Sequence, residues 1–118
     1  MSSTIIQMKS PSDIRLQELA DRIVERFREE QAEVSLHQIS DVNGAKVLLL
    51  VLEKFYMRNA SMTVCTIQII DSGEEQTATI VGTGGGDGLL TISLGANKDI
   101  ARRAAGVLGS LGFAEVND

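Results

Sequence analysis

The stretch from Asn43 to Tyr56 narrows the choice of fold more than any other. Asn-Gly at 43–44 lies between two strand-like patterns, and both residue types tolerate positive φ, so a tight β-hairpin is expected there. The strand that follows, Lys46 to Met57, alternates cleanly. Val47, Leu49, Val51, Glu53 and Phe55 share one face, and Leu48, Leu50, Leu52, Lys54 and Tyr56 share the other. Its first half is apolar on both faces, which predicts a central strand covered on both sides. In a chain of 118 residues, two helices do not cover both faces of a sheet. Loops or another subunit must cover the second one, so a homodimer is expected.

Around this strand the other elements fall into order. Residues 4–8 are short, apolar and β-branched and read as a first strand. Ser10-Pro11-Ser12-Asp13 then has the signature of a helix start, with Ser10 as N-cap and Pro11 at the first helical position. Leu16, Leu19, Ala20, Ile23, Val24 and Phe27 recur at helical spacing to about Glu30. Glu18 and Arg22 form an i,i+4 pair on the opposite face, which reads as mixed-charge solvent surface. Val34, Leu36 and Ile39 mark a second strand whose alternation slips once, predicting a bulge. Strands are also expected over Met62–Ile70, Thr77–Val81 and Leu89–Leu94. Asn97 is expected to cap a second helix, with Asp99 in its first turn. Ile100, Ala101, Ala104, Val107, Leu108 and Leu111 form that helix's buried stripe. Gly106 and Gly109, with the neighbouring alanines, suggest close approach of helix to sheet. Gly112 is placed to end the helix, and Phe113–Val116 to add a short last strand.

The expected architecture is a single α+β domain spanning residues 1–118. It is a two-layer sandwich with a mainly antiparallel sheet, two helices on one face and the order β-α-β-β-β-β-β-α-β. A helix-grip or TATA-binding-protein-like topology is one way to build it.

Composition excludes more than it identifies. The net charge of −5 disfavours non-specific binding to nucleic acid. Four aromatic side chains and no tryptophan give no stacking platform for bases. The longest apolar run, Val47–Leu52, is too short to span a bilayer as a helix. Met1–Lys9 carries no signal-peptide pattern, so a cytoplasmic location is expected. The single cysteine, Cys65, reads as a buried small hydrophobe. The single histidine, His37, has no partners at ligand spacing, so no metal and no cofactor is expected. It is also the only imidazole available to a nucleophilic triad, and no nucleophile elbow is present, so no catalytic residue is assigned.

Two stretches remain as candidate ligand-binding sites. The first is Gly82-Thr83-Gly84-Gly85-Gly86-Asp87-Gly88, in which Gly82, Gly84, Gly85, Gly86, Asp87 and Gly88 are the candidate residues. Successive backbone N–H groups there could form a nest for an anion. The phosphate-loop motif needs Gly-Lys-Ser/Thr, and the dinucleotide motif needs a helix after the glycines. Here Leu89-Leu90 follows in a strand pattern, so neither fits. The second stretch is the strand end, with Glu53, Lys54, Tyr56 and Arg58 as a polar wall. If the two meet, a small anionic ligand is expected between them.

Glu53-Lys54-Phe55-Tyr56-Met57-Arg58-Asn59, the glycine stretch, and Gly95-Ala96 before the last helix together resemble a small bacterial family of unknown function. In that family a Glu-Lys-x-Tyr-Met-Arg strand end and a Gly-x-Gly-Gly-Gly-x-Gly loop recur. The resemblance covers nearly the whole chain and implies no activity. Leu89-Leu90 stands where such relatives are expected to be more aromatic, which would thin an aromatic wall beside the loop. Two function classes follow. One is a non-enzymatic interaction or small-ligand-binding domain that acts as a homo-oligomer through the wetter sheet face. The other is a small enzyme that holds an anionic substrate at the glycine stretch, with Lys54 or Arg58 assisting.

Overall fold

The apolar alternation of the chain resolves into one twisted, open sheet with both helices on one side. The structure, a computed structural model, describes residues 3–11, 14–56, 61–84 and 95–116. Its elements are β1 (Ser3–Ser10), α1 (Leu16–Glu29), β2 (Glu33–Val42), β3 (Ala45–Tyr56), β4 (Ser61–Asp71), β5 (Gln76–Gly84), α2 (Ala96–Ser110) and β6 (Ala114–Glu115). The sheet order is β2-β3-β4-β5-β1-β6, and every pairing is antiparallel. The strand expected over residues 89–94 lies outside the described residues.

The period-2 pattern of each strand sorts its residues between core and open face. Leu48, Leu50 and Leu52 of β3, Cys65, Ile67 and Ile69 of β4, Ala78 and Ile80 of β5, and Ile6 and Met8 of β1 all point toward the helices and are buried. α1 answers with Leu16, Leu19, Ala20, Ile23 and Phe27, and α2 with Ile100, Ala101, Ala104 and Leu108. α1 packs on β3 and β2, whereas α2 packs on β5, β1 and β4. The opposite face has no layer over it among the described residues.

Local chemistry explains the joints. Asn43 and Gly44 take φ of 53° and 89°, as the hairpin requires, and the Asp41 carboxylate accepts a hydrogen bond from Gly44 N–H at 3.1 Å. The register between β2 and β3 shifts between Val34 and Leu36, which is the expected bulge. Both helices end in a Schellman motif. Ala32 N–H bonds to the Phe27 carbonyl and Gln31 N–H to that of Arg28; Phe113 N–H and Gly112 N–H do the same with Leu108 and Gly109.

Three expectations about the helices are corrected. α1 begins at Leu16 with Arg15 as N-cap, not after Ser10. Ser10 is instead the last residue of β1, buried and paired with Gln76, because extending the sheet there outweighs a local cap. α2 is capped by Gly95 at φ 91°, and Asn97 lies inside its first turn. Gly106 and Gly109 face solvent, and a methyl group added at either would meet nothing within 4 Å. The close approach of α2 to the sheet occurs at Gly82, where an added Cβ would sit 2.2 Å from the Asn97 carbonyl oxygen.

Candidate functional site

The end of the sheet where β3 stops, β4 starts and β5 stops carries the polar residues singled out in the sequence. Strand register decides which of them share a side. Lys54 pairs with Thr63 and Thr63 with Gly84, so these three form one cross-strand row on the helix-bearing face. Tyr56 lies two residues beyond Lys54 and so shares that face. Glu53 faces the other way, opposite Glu33 of β2. The start of the glycine stretch and the strand end therefore do reach the same end of the same face, with β4 between them. Arg58, Gly85, Gly86, Asp87 and Gly88 lie outside the described residues.

Lys54 and Tyr56 enter a charged cluster that joins three elements. The Tyr56 hydroxyl donates to Asp99 Oδ2 of α2 at 2.9 Å. Arg103, one turn further along α2, donates through Nε to the same oxygen at 3.0 Å and through Nη1 to Glu30 Oε2. Glu30, at the end of α1, also accepts from Arg26 at 3.0 Å and from Lys54 at 3.2 Å. The Lys54 ammonium lies 5.0 Å from the centre of the Tyr56 ring, a cation–π distance.

These contacts set the protonation states. Burial pushes the Glu30 carboxyl up, but hydrogen bonds from Arg26, Lys54 and Arg103 outweigh it and hold the group below its ordinary value. Asp99 behaves alike: burial raises it, and the hydrogen bonds from Arg103 and Tyr56 bring it down overall. Burial, then the Asp99 hydrogen bond and charge, push the Tyr56 phenol well above its ordinary range. The hydrogen bond to Asp99, against an opposing effect of burial, raises Arg103.

At neutral pH the cluster thus holds two carboxylates already ionised, a phenol that keeps its proton, and three cations bound to acids. A general acid needs a proton near its release point and a base needs a free lone pair. Glu30 and Asp99 are held ionised and Tyr56 protonated, so none of the three is shifted toward proton exchange at neutral pH, although Asp99 Oδ1 keeps open lone pairs. What the cluster does offer is a clamp that ties the end of β3 to both helices.

Two details bear on ligand binding. Thr63, between Lys54 and Gly84, is fully buried, and its hydroxyl has no hydrogen-bond partner among the described residues. Gly84 has φ 95°, and an added Cβ would lie 2.7 Å from the Met62 carbonyl oxygen, so only glycine fits there. His37 is exposed on β2, Cys65 is buried, and burial pushes its thiol up to about 12. Among the described residues no group of three metal-ligating side chains gathers, and no helix is long and apolar enough to cross a membrane.

Residues 1–111 match the model of a family of unknown function, DUF6054. The chain belongs to that family. No curated protein matches it. As a DUF6054 member it carries the family match through β1 to the end of α2, so both the clamp and the open sheet face lie within the matched residues.

Sequence reasoning singles out Lys54 and Tyr56 but misses Glu30, Asp99 and Arg103 as their partners. The only sequence signal for them is the i,i+4 spacing of Arg26 with Glu30 and of Asp99 with Arg103.

Proposed function

We propose that this domain is a non-enzymatic interaction module, with capacity for a small ligand, that acts as a homo-oligomer through its open sheet face. The observation that carries the reading is the make-up of that face. One cross-strand row reads Leu36, Val51, Thr66, Val81, Ile5, and the next reads Gln38, Leu49, Gln68, Thr79, Gln7. Neither row contains a charge, although the chain as a whole carries −5. Ile5 is 63% exposed, and Phe55 and Met62 at the rim are about half exposed.

A second copy is the occupant that suits this surface. These two central rows can meet their copies without opposing like charges, since Glu33 and Glu53 lie beyond one end of them and Lys9 beyond the other, whereas the acidic remainder of the two chains would repel. Five strands spaced ~4.8 Å apart and about seven residues long give a face of roughly 20 by 23 Å. Two copies would then bury on the order of 1,000 Å², about the smallest area expected of a biological interface. The clamp argues in the same direction, since its carboxylates are held ionised and its phenol protonated, away from proton exchange at neutral pH.

The finer family features belong to the same proposal. They are a bacterial source, a reducing cytoplasm in keeping with the single free cysteine, and a recurrent 53–59 strand end with the 82–88 glycine stretch. The test is sedimentation velocity on the whole chain and on Thr79→Lys, which places a charge in the middle of the face. The variant is expected to have half the wild-type mass. An unchanged mass at the same concentration would refute the face contact.

A further inference from the structure

We propose that a second, separate contact joins copies of this chain: antiparallel pairing of β2 with β2 of another copy, on an axis through Ile39, which continues the sheet across both.

The observation is an open edge with a self-complementary pattern. β2 ends the sheet, and no described strand lies outside it. At the other end, β6 covers β1 at Met8 and Lys9 and Val116 N–H bonds to the Gln7 carbonyl, which leaves only a short free run of β1. β2 is ten residues long, and beyond its bulge the run Leu36–Val42 is regular. Natural edges are blunted by proline, lysine, brevity or bulges along their length. Leu36–Val42 has none of these and one formal charge, Asp41. Its outward N–H and C=O groups form a template for another strand.

Identical antiparallel strands related by a two-fold axis perpendicular to the sheet pair residues about one central residue, and paired residues share a face. With Ile39 at the centre, Leu36 meets Val42, His37 meets Asp41, Gln38 meets Ser40, and Ile39 meets itself. Apolar residues then face apolar ones, and an imidazole faces a carboxylate. Leu36 and Ile39 are each 39% exposed and Val42 is 55% exposed, so all three have surface to bury. Moving the axis by one residue destroys the match. Centring on Gln38 sets Leu36 against Ser40 and His37 against Ile39, and centring on Ser40 sets Gln38 against Val42 and Ile39 against Asp41. A groove between α1 and β2, lined by Val24, Val34 and His37 and by charged side chains of α1, runs beside this edge.

This contact is distinct from the face contact: its axis is perpendicular to the sheet and passes through Ile39, which lies on the helix-bearing face, whereas Leu36 and Val42 stand at the margin of the open face. The two together close into a tetramer where their two-fold axes cross. Sedimentation velocity of the whole chain tests it with Ile39→Lys and, in the Thr79→Lys background because Leu36 also lies in a row of the open face, with Leu36→Lys, Val42→Glu and the double variant Leu36→Lys/Val42→Glu. Ile39→Lys sets two ammonium groups together at the axis and is expected to halve the mass, as are the two single charge variants. The double variant sets the introduced lysine of each copy against the introduced glutamate of the other, twice over, and is expected to restore the mass. Leu36 and Val42 lie six residues apart on one strand, too far to pair within a chain, so rescue is specific to this register. An unchanged mass for Ile39→Lys, or a double variant no heavier than its parents, overturns the proposal, as does a monomeric wild type. If Ile39→Lys halves the mass while Thr79→Lys does not, the edge contact stands and the face contact fails; the reverse result sinks the edge alone. All three positions are exposed, and far-ultraviolet circular dichroism with a thermal melt verifies that each variant is folded.

Discussion

The Tyr56 hydroxyl donates a 2.9 Å hydrogen bond to the Asp99 carboxylate across 43 positions of chain, and through it the end of β3 is tied to the first turn of α2. Tyr56 is the only tyrosine and the chain has no tryptophan, so the phenolate absorbance reports this one group. Burial first, and then the neighbouring Asp99, raise its pKa above the ordinary value. A raised folded-state pKa means stability that is fully present below the unfolded value, near 10, and lost as pH rises through the higher folded one. The phenolate of the native protein should therefore appear at higher pH than in urea, together with loss of structure. Titration near pH 10 in a protein that stays folded would contradict the contact. Tyr56→Phe should lower stability by about 1 kcal/mol, because Arg103 and water still serve the half-buried Asp99.

The acid side has the opposite sign. Glu30 and Asp99 have lowered pKa values, so their contribution is fully present above the unfolded carboxylate range, near pH 4, and is lost as pH falls through the folded values. Glu30 is the stronger case, since its side chain is 15% exposed and accepts from three cations. Glu30→Gln should cost roughly 1–2 kcal/mol at neutral pH. It should also flatten the decline in melting temperature below pH 4. A variant whose acid profile runs parallel to the wild type would show that Glu30 is not a main source of that decline.

How far these features can be read from sequence depends on the range of the interaction. Asn43-Gly44, the alternation of Leu48, Leu50 and Leu52, and the slip after Val34 are local patterns, and each appears in the structure at its expected place. Ser10 shows the limit: its cap signature is local, but pairing with Gln76, distant in sequence, prevails. The clamp lies further out of reach. Lys54 and Tyr56 are legible as a polar strand end, yet Glu30 is 24 residues from Lys54 and 73 from Arg103, and only the fold brings them together. Glu53 and Lys54 read as one wall because they are adjacent, and adjacency in a strand is what places them on opposite faces.

Glycine substitutions should divide by environment. Gly82→Ala would place a Cβ 2.2 Å from the Asn97 carbonyl oxygen and 3.1 Å from Ile100 Cγ2. The first of these is backbone, so α2 itself must shift, at a cost of about 3 kcal/mol. Gly106→Ala and Gly109→Ala meet open space on the same helix and should each stabilise by about 0.5–1 kcal/mol. Denaturant melts of the three variants give the comparison. Equal effects at Gly82 and Gly106 would mean that α2 does not rest on β5 as described.

The helix ends supply the last prediction. Gln31 and Gly112 hold the same place after α1 and α2, and both are left-handed, at φ 64° and 103°. A side chain in that conformation is strained by roughly 1 kcal/mol, and glycine is not. Gln31→Gly should therefore stabilise the protein by about 0.5–1 kcal/mol, part of the relief being lost to the greater freedom of glycine in the unfolded chain. Gly112→Ala should destabilise it by a similar amount; an added Cβ there would lie 3.5 Å from Ser10 Oγ, ordinary contact, so the effect is one of backbone strain alone. Both hydrogen bonds of each Schellman motif survive these changes, since they use backbone groups only. Urea midpoints moving in opposite directions at an unchanged slope are the expected result, and a Gln31→Gly variant less stable than the wild type would show that the Gln31 side chain makes a contact worth more than the strain it bears.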